Sequence, residues 1–385
     1  MKKLLIFVCT IALFSCSTSN KPQESKNAKT PMNPSGFVIN RGINISHWLS
    51  QLYGTRGQQL TFFTKDDVRL LDSLGFDHIR LPIDEENLWD ENGKPIAEMF
   101  DYLKKAIQWS LEYNMRVIVD LHIIRSFHFN AGNDGKVNRL FTDPKEQKKF
   151  YKLWETLSDS LKSFPESMVA YELLNEPDAP TPEDWNKLVA GGIKTIRARE
   201  PERVIFVGSN KWQITSTFPD LKVPKGDKNI ILSFHSYEPL LFTHFRADWT
   251  EFKDFNDSVS YPTIITQEVF DRNTHFTQGN SPEFFKEALQ TFSPEKYEKM
   301  FQPAIIKARE LGLQLYCGEF GALPTTQREH RLQYYKDIIE AFNKNNIAYA
   351  AWDYKGNFGI REWDTGTQQN GALDSELSNI LTGKK

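Results

Sequence analysis

The sequence predicts an α/β fold, a closed (β/α)8 barrel of the TIM-barrel type, and three observations lead to that prediction. Short apolar runs rich in Val, Ile and Leu alternate with longer amphipathic stretches along most of the chain, which is typical of a parallel sheet covered by helices. Eight such runs follow one another, and eight strands close a barrel of this kind. The 385 residues are 39% hydrophobic and 25% charged, which is ordinary for a globular protein with a large core.

The predicted strands and helices follow one another in regular order from residue 37 onward. The strand predictions cover residues 37–45, 78–82, 116–122, 168–175, 204–207, 230–235, 314–318 and 348–352. The helix predictions cover residues 65–74, 100–113, 144–163, 182–200, part of 286–311, and 327–343. Asp143 and Thr181 each precede a proline at a helix start, which is a typical N-cap arrangement. The connection between residues 208 and 229 is poorly helical.

One connection is much longer than the others: residues 236–285 lie between the sixth strand and the next long helix. A loop of this length inside a compact domain usually has a function. It follows the carboxyl end of a strand, so we expect it on the face of the barrel where active sites form, as a lid or a cleft wall. The alternative is a segment that packs only on itself. Its many aromatic rings, among them Trp249, are compatible with either role.

Residues 1–15 have the pattern of a lipoprotein-type signal peptide, with two lysines before an apolar run that is too short to span a membrane. The run ends in Leu-Phe-Ser-Cys, which resembles a bacterial lipobox and implies that Cys16 is lipidated. An ordinary secretory signal with a chance cysteine is the alternative. We expect residues 16–35 to form a flexible tether and residues 36–385 a single domain. The anchored protein would lie at the bacterial outer membrane, the cell surface or the periplasm.

Charge and cysteine usage exclude several classes of function. The net charge of −3 provides no positive field to recruit nucleic acid. There is no Cys/His cluster with metal-ligand spacing and no glycine-rich phosphate loop, so we expect neither a metal nor an organic cofactor. Cys317 lies in an apolar strand and is expected to be a small core residue. A monomer is expected.

Polar or aromatic side chains stand at or just beyond the carboxyl ends of the predicted strands. In barrels of this type catalytic groups come from the carboxyl ends of different strands, so these side chains should converge on one site. Any one of them could be a simple rim residue, but so many in register with the strand ends indicate a functional site. In chain order the candidates are His47, Trp48, Arg80, His122, Asn175, Glu176, Trp212, His235, Tyr237, Glu319 and Trp352.

Two glutamates stand out among these candidates. Glu176 follows an apolar run in Asn175-Glu176-Pro177, and Glu319 follows another in Gly318-Glu319-Phe320-Gly321. Two carboxyl groups that face each other across a cleft suit the cleavage of a glycosidic bond, which needs one carboxylic acid and one carboxylate.

With these motifs, residues 36–380 resemble glycoside hydrolase family 5, a family of retaining barrel glycosidases that includes many cellulases. The Arg-Gly-Ile-Asn at 41–44 also looks like the first strand of that family. The family pattern requires eight residues at the strand ends, and none of them is substituted here. They are Arg80, His122, Asn175, Glu176, His235, Tyr237, Glu319 and Trp352.

The resemblance implies that Glu176 is the general acid/base and Glu319 the nucleophile, about 5–5.5 Å apart. Glu176 must then be protonated in the resting enzyme, so a less polar setting should raise its pKa, with His235 placed to hydrogen-bond near it. Glu319 must be ionised, and we expect Arg80 and Tyr237 to stabilise its charge.

The remaining candidates are expected to hold the substrate. By the resemblance, Asn175 and His122 would bind hydroxyls of one sugar, and Trp352 would form a platform beneath it. Trp212, Trp48 and His47 lie outside the shared pattern and are weaker substrate-binding candidates. Trp212 follows the fifth strand and would stack a sugar on the leaving-group side. For both tryptophans, plain packing in the core is an equal alternative.

The expected activity is the retaining hydrolysis of β-linked glucan during polysaccharide breakdown, by an endo-β-1,4-glucanase that takes polysaccharide or oligosaccharide. Family members with other activities share the same eight residues. An exo-acting β-1,3-glucanase or β-glucosidase and a β-mannanase therefore remain alternatives, to be decided by the loops 123–141 and 236–285. A non-catalytic surface glycan-binding protein is the alternative from another class, although such a protein would be expected to lose one carboxylate.

Overall fold

The computed structural model describes residues 33–52, 59–131, 137–278 and 282–384. The signal peptide, Cys16 and most of the predicted tether lie outside these ranges. Eight parallel strands pair in chain order and close into a barrel, so the predicted fold class is confirmed. The barrel strands are β1 (Arg41–Asn44), β2 (His78–Asp84), β3 (Arg116–Ile123), β4 (Val169–Glu172), β5 (Ile205–Gly208), β6 (Ile230–Ser236), β7 (Gln314–Phe320) and β8 (Ala348–Ala351).

Helices cover the outside of the barrel, and each of the six predicted ones is confirmed to within a few residues. Asp143 and Thr181 cap their helices as expected, because their side chains accept hydrogen bonds from the backbone N–H groups of Lys145 and Asp184 in the first turn. Each helix in the described ranges falls short of the length and apolarity needed to cross a membrane. The helices are α1 (Gln59–Phe62), α2 (Lys65–Leu74), α3 (Glu85–Leu88), α4 (Ala97–Glu112), α5 (Pro144–Leu161), α6 (Pro182–Arg197), α7 (Leu240–Thr243), α8 (Gln267–Arg272), α9 (Pro282–Glu287), α10 (Pro294–Leu311), α11 (Arg328–Lys344) and α12 (Ser375–Thr382).

The first strand is shorter than predicted, because β1 pairs with β2 and β8 only over residues 41–44. Phe37 and Ile39, which were expected in this strand, precede it. Both are buried in one cluster with Phe206 and Tyr316 at the amino-terminal end of the barrel. Residues that fill the end of a barrel can show the same alternation of apolar side chains as a strand, so the predicted strand began too early.

The connection from β5 to β6 agrees with the prediction of a poorly helical segment. Its residues 209–229 are all described, and they form one six-residue 3₁₀ helix, Thr215–Asp220, in place of an α-helix. The chain leaves β5 through a tight turn at residues 211–213, which faces the active-site end of β4.

The long insertion after β6 contains α7, α8, α9 and two 3₁₀ helices. Four of its phenylalanine rings are buried against one another, with ring centroids 5.4–6.5 Å apart in five pairs among Phe252, Phe255, Phe276 and Phe285. Of the two alternatives for this segment, packing on itself therefore describes these four rings. Trp249 differs from them because 40% of its surface is exposed.

Three elements at the C-terminal end were not predicted. β9 (Arg361–Asp364) and β10 (Gln369–Leu373) form an antiparallel hairpin, and α12 follows them. The barrel holds the end of α12, since Arg41 Nη1 donates to the carbonyl of Thr382 at 2.7 Å and the Tyr349 hydroxyl donates to the carbonyl of Leu381 at 2.8 Å. The hairpin strands are short and mostly exposed, so their sequence carries little hydrophobic alternation.

Candidate active site

The carboxyl ends of β4, β6 and β7 bring two carboxyl groups and an imidazole together. One oxygen of Glu176, one oxygen of Glu319 and one ring nitrogen of His235 all lie within 4.8 Å of one another. Retaining glycosidases hold their two carboxyl groups roughly 5–5.5 Å apart, whereas inverting enzymes need about 6.5–9.5 Å to admit a water molecule. The spacing therefore suits direct attack by one carboxylate.

A break in the strand register aligns the two sides of this group. β6 and β7 pair regularly up to Phe234 and Cys317, and the register then shifts so that His235 lies opposite Glu319. Such bulges re-aim side chains near active sites. Gly318, the residue passed over by the shift, lies close beneath the imidazole, because a Cβ on it would be 3.1 Å from His235 Nε2.

Arg80 is the fully buried cation at the centre of the site. Its Nη1 donates to Glu319 Oε1 at 2.6 Å and to Asn44 Oδ1 at 3.0 Å. Its Nη2 donates to Asn175 Oδ1 at 2.8 Å, which fixes the Asn175 amide so that its oxygen faces the arginine. The amide nitrogen of Asn175 is buried with no protein partner, so it is placed to donate to a bound sugar.

Two further acids complete the contacts of Arg80, and the sequence analysis assigned them no role. Glu172 Oε2 accepts from Arg80 Nε at 2.5 Å, and Asp120 Oδ2 lies 3.0 Å from Arg80 Nη2. Both carboxyl groups are completely buried, and burial raises the pKa of Asp120 to about 7 despite the opposing charge of Arg80. An acid inside an apolar strand run was the signal that could have identified them.

The surroundings of Glu176 fit a proton donor. Burial raises its pKa to about 8, while the charge of Arg80 opposes the shift and the charges of Asp120 and Glu172 add to it. Its Oε1 lies 2.8 Å from Nδ1 of His235. Burial lowers the pKa of His235 to about 4, so this partner is a neutral imidazole at neutral pH. Glu176 keeps 13% of its side chain exposed, which leaves it open to a substrate oxygen.

Glu319 has the opposite surroundings. One carboxylate oxygen accepts from Arg80, and the other accepts from the Tyr237 hydroxyl at 2.9 Å. Charge-assisted hydrogen bonds of this kind stabilise an ionised carboxylate. Glu176, His235 and Glu319 also have the donor spacing of a metal site, but the Arg80 guanidinium bonded to Glu319 already supplies a positive charge there.

His122 and Trp352 lie next to each other beside the two glutamates. Nδ1 of His122 is 2.7 Å from Asp120 Oδ2, and its ring stacks on the Trp352 indole with centroids 5.7 Å apart and planes 10° from parallel. His47 meets the Trp352 ring edge-on at 6.4 Å. Its Nδ1 lies 3.0 Å from the carbonyl oxygen of Gln51. The structure thus places His47 at this end of the site.

The two further tryptophan candidates have different environments. Trp48 is 1% exposed, packs on Phe63 with ring centroids 5.2 Å apart, and donates its indole N–H to the carbonyl of Gln59 at 2.8 Å. The expectation that Trp48 binds substrate is wrong, because a ring enclosed in the core offers no face to a sugar. Trp212 is 43% exposed, and its indole N–H donates to the carbonyl of Phe129 at 3.0 Å. It remains a candidate platform.

The chain is similar to known proteins along most of its length. The model of the family described as "Cellulase (glycosyl hydrolase family 5)" matches residues 33–358. Endoglucanase C of Acetivibrio thermocellus is 30% identical over 350 residues, which cover 89% of this chain and 98% of that protein. Cellodextrinase A of Ruminococcus flavefaciens is 30% identical over 352 residues, covering 90% and 94% of the two chains.

Solved structures support the fold. A hyperthermophilic endo-β-1,4-glucanase, solved in complex with substrate, matches with a TM-score of 0.72 and 22% identity, over 92% of this chain and all of that one. A mutant form of Thermotoga maritima Cel5A in complex with cellobiose matches with a TM-score of 0.70 and 24% identity, over 92% and 99% of the two chains.

Proposed function

Because this chain belongs to glycosyl hydrolase family 5, the cellulase family, we propose that it is an endo-β-1,4-glucanase that cleaves β-glucan with retention of configuration. The observation that carries the proposal is the pair of glutamates, which lie close together and have opposite electrostatic surroundings. The endoglucanase name of a relative that matches nearly the full length of the chain supports the choice of substrate.

In the first step, a carboxylate oxygen of Glu319 attacks the anomeric carbon while Glu176 gives its proton to the departing glycosidic oxygen. The bond between carbon and that oxygen breaks, and a glycosyl ester of Glu319 forms. Arg80 and Tyr237, which donate to Glu319, hold its carboxylate in place for attack. The free amide N–H of Asn175 is positioned to bind the 2-hydroxyl of the same sugar, a contact that strengthens in the transition state.

In the second step, Glu176 is ionised and removes a proton from water. The water oxygen attacks the anomeric carbon, the ester bond to Glu319 breaks, and the sugar leaves with its original configuration. Glu176 regains its proton, so both glutamates return to their starting states.

Substitution of the nucleophile tests the activity. We expect Glu319→Gln to lower kcat on a soluble cellulose derivative by more than about 10³-fold, the size of loss seen when a covalent nucleophile is removed. Glu310→Gln, an exposed glutamate on α10, is the matched control and should leave the rate unchanged. A wild-type protein that binds glucan but shows no hydrolysis would instead support a glycan-binding role.

Product analysis tests the linkage and the endo action. We expect a rapid fall in the viscosity of the cellulose derivative and a mixture of oligosaccharides, with slower or no cleavage of laminarin and mannan. Release of a single short product without loss of viscosity would favour an exo-acting enzyme. Preferred cleavage of laminarin or mannan would favour the alternative substrates within the family.

The stereochemical outcome tests the double displacement. Proton NMR of the first product should show the β-anomer before mutarotation begins. A first product with the α-configuration would contradict attack by Glu319, because it requires water to act directly.

We also propose that the chain is held at a bacterial membrane by lipid on Cys16, on the pattern of its first sixteen residues alone. That the protein is a monomer is a separate part of this proposal. In a bacterial host, activity should fractionate with membranes for the wild type and move to the soluble fraction for Cys16→Ser. Wild-type activity in the soluble fraction would favour an ordinary secretory signal.

A further inference from the structure

The turn that follows β5 has an unusual backbone. Lys211, Trp212 and Gln213 are three consecutive residues with φ values of 57°, 56° and 58°, in the left-handed region. Each L-residue in this region costs roughly 1–2 kcal/mol, and such outliers concentrate at functional sites. The turn separates two side chains: Trp212 is 43% exposed, whereas Gln213 is completely buried. Gln213 therefore points into the protein, toward the active-site end of the barrel.

Each polar atom of the Gln213 side chain has a partner near the catalytic pair. Its Oε1 accepts a hydrogen bond from the backbone N–H of Glu176 at 2.8 Å. Its Nε2 donates to Glu172 Oε1 and to Ser233 Oγ, both at 3.1 Å. These partners determine the orientation of the amide, because a backbone N–H requires an oxygen and a carboxylate requires the NH₂ group.

The bond to Glu176 acts on a residue whose own backbone is strained. Glu176 also has a left-handed backbone, with φ of 44°, so the direction of its side chain depends on what holds its peptide group. The backbone carbonyl of Gln213 also accepts from the N–H of His235 at 3.2 Å. One residue thus restrains both the acid/base and the imidazole bonded to it.

The surrounding fold makes room for this side chain. Gly208, at the end of β5, lies against it so closely that a Cβ at that position would be 2.2 Å from Gln213 Cγ. Through Glu172 the amide also connects to Arg80, which in turn donates to Glu319. Gln213 therefore links the supports of the two catalytic carboxyl groups.

We propose that Gln213 is a positioning residue for Glu176: its amide oxygen holds the left-handed backbone of the acid/base so that the carboxyl group faces the glycosidic oxygen. The inference rests on the proposed function. Without this bond the Glu176 peptide can rotate toward an ordinary conformation, and its carboxyl group moves away from the oxygen it protonates. Glu319 is held directly by Arg80 and Tyr237 and is connected to Gln213 only through Glu172 and Arg80. Its attack should therefore depend much less on Gln213, and the two parts of the first step should respond differently.

Aryl cellobiosides separate these two parts. Phenolate is a poor leaving group that needs a proton, whereas 2,4-dinitrophenolate leaves without one. Gln213→Met keeps the shape of the side chain and removes its polar atoms. We expect kcat/KM to fall by about 100-fold on phenyl cellobioside, the lower range of what a general acid contributes, and by less than about fivefold on 2,4-dinitrophenyl cellobioside.

A second variant and a control distinguish an effect on Glu176 from a general loss of folding. Gln213→Asn keeps an amide but is one methylene too short to reach Glu176, and it should widen the difference between the two substrates by about tenfold. Asn210→Ala is the matched control, because Asn210 is a buried amide in the same loop whose side-chain hydrogen bonds, among the described residues, both go to the backbone of Ala179, at 2.7 and 3.0 Å. If Asn210→Ala lowers kcat/KM, it should lower it by the same factor on the two aryl cellobiosides.

Equal losses on the two substrates in the folded Gln213 variants would overturn the positioning role, and Gln213→Asn decides alone if the methionine variant does not fold. A wild-type protein that cleaves neither glycoside would contradict the proposed function itself, and this role with it. The two failures are therefore distinguishable.

Discussion

At the residue scale, two glutamates of identical chemistry differ because their neighbours differ. Glu176 is buried beside His235. Burial lowers the pKa of His235 to about 4, so the imidazole next to Glu176 carries no charge at neutral pH. Glu319 accepts from a guanidinium and a phenol. The division of roles between acid and nucleophile therefore follows from the side chains that strands β2 and β6 present to each carboxyl group.

The pH dependence of the reaction tests this division. Glu176 must be protonated to act as an acid, and burial raises its pKa to about 8. We therefore expect kcat/KM on phenyl cellobioside to decline above about pH 8, tenfold per unit, because activity is lost as the group ionises. The dinitrophenyl glycoside should lack this alkaline limb. A loss of kcat/KM with its midpoint near the ordinary pKa of a glutamate would contradict the raised pKa of Glu176.

The buried cation provides a second prediction at this scale. Arg80 lies within 3.0 Å of carboxylate oxygens of Asp120, Glu172 and Glu319 in the interior. Arg80→Met should lower the free energy of unfolding by about 3–5 kcal/mol at neutral pH, since removal of one partner leaves buried charge unpaired. Arg80→Lys should lose less stability yet still lose activity, because an ammonium cannot match the planar fork of hydrogen bonds. Chemical denaturation measures the stability of both variants. An unchanged stability of the methionine variant would disprove the network.

At the element scale, the strand ends decide which side chains meet, and the loops decide which remain exposed. Glu176, His235 and Glu319 were predicted to lie together because each follows a strand of the same barrel. Trp48 and Trp212 also follow strands, yet one is in the core and the other is exposed. The sequence around them contains no difference in pattern that separates the two cases.

The insertion between β6 and α10 provides a prediction at this scale. Phe255 packs against Phe276 and Phe285 at centroid distances of 5.7 and 6.2 Å. Phe255→Ala should destabilise the segment by about 3–5 kcal/mol through the lost contacts and the cavity left behind. Hydrogen exchange of residues 251–287 should then accelerate while exchange in the barrel strands stays unchanged.

Trp249→Ala is the matched control for this prediction, because the ring is 40% exposed and lies in the same insertion. It should leave the exchange rates unchanged. Faster exchange throughout the barrel in Phe255→Ala would show that the insertion does not form a separate aromatic cluster.

At the scale of the whole molecule, the chain returns to the start of the barrel. Leu377 and Leu381 of α12 are buried, and Arg41 and Tyr349 bind the carbonyl groups at the end of this helix. A short C-terminal helix thus joins β1 and β8, the two strands at which the barrel closes. We expect α12 to contribute to the stability of the entire barrel.

Leu381→Ala tests this contribution. The variant should lose about 2–5 kcal/mol of unfolding free energy, the range for a buried leucine, and still unfold in a single transition. Ile306→Ala, an exposed apolar residue on α10, should change stability by less than about 0.5 kcal/mol. A separate early transition in Leu381→Ala would mean that α12 unfolds independently of the barrel.

The barrel, the order of its strands and the convergence of the residues at their ends could all be predicted from the sequence. Hydrophobic periodicity is local, and parallel strands in one barrel bring their carboxyl ends to one face whatever the loops do. That is enough to predict Glu176 and Glu319 as neighbours, and the resemblance to the family implied that six further residues around them belong to the same site.

The tertiary structure alone decided which buried polar groups support that site. Glu172 lies in β4 and bonds to Arg80 in β2, and Gln213 lies beyond β5 and bonds to Glu176 beyond β4. A hydrogen bond between such residues depends on side-chain orientation and on the strained turn at 211–213, neither of which leaves a periodic trace in the sequence. The same reason explains why Trp48 and Trp212 could be told apart only after folding had enclosed one and exposed the other.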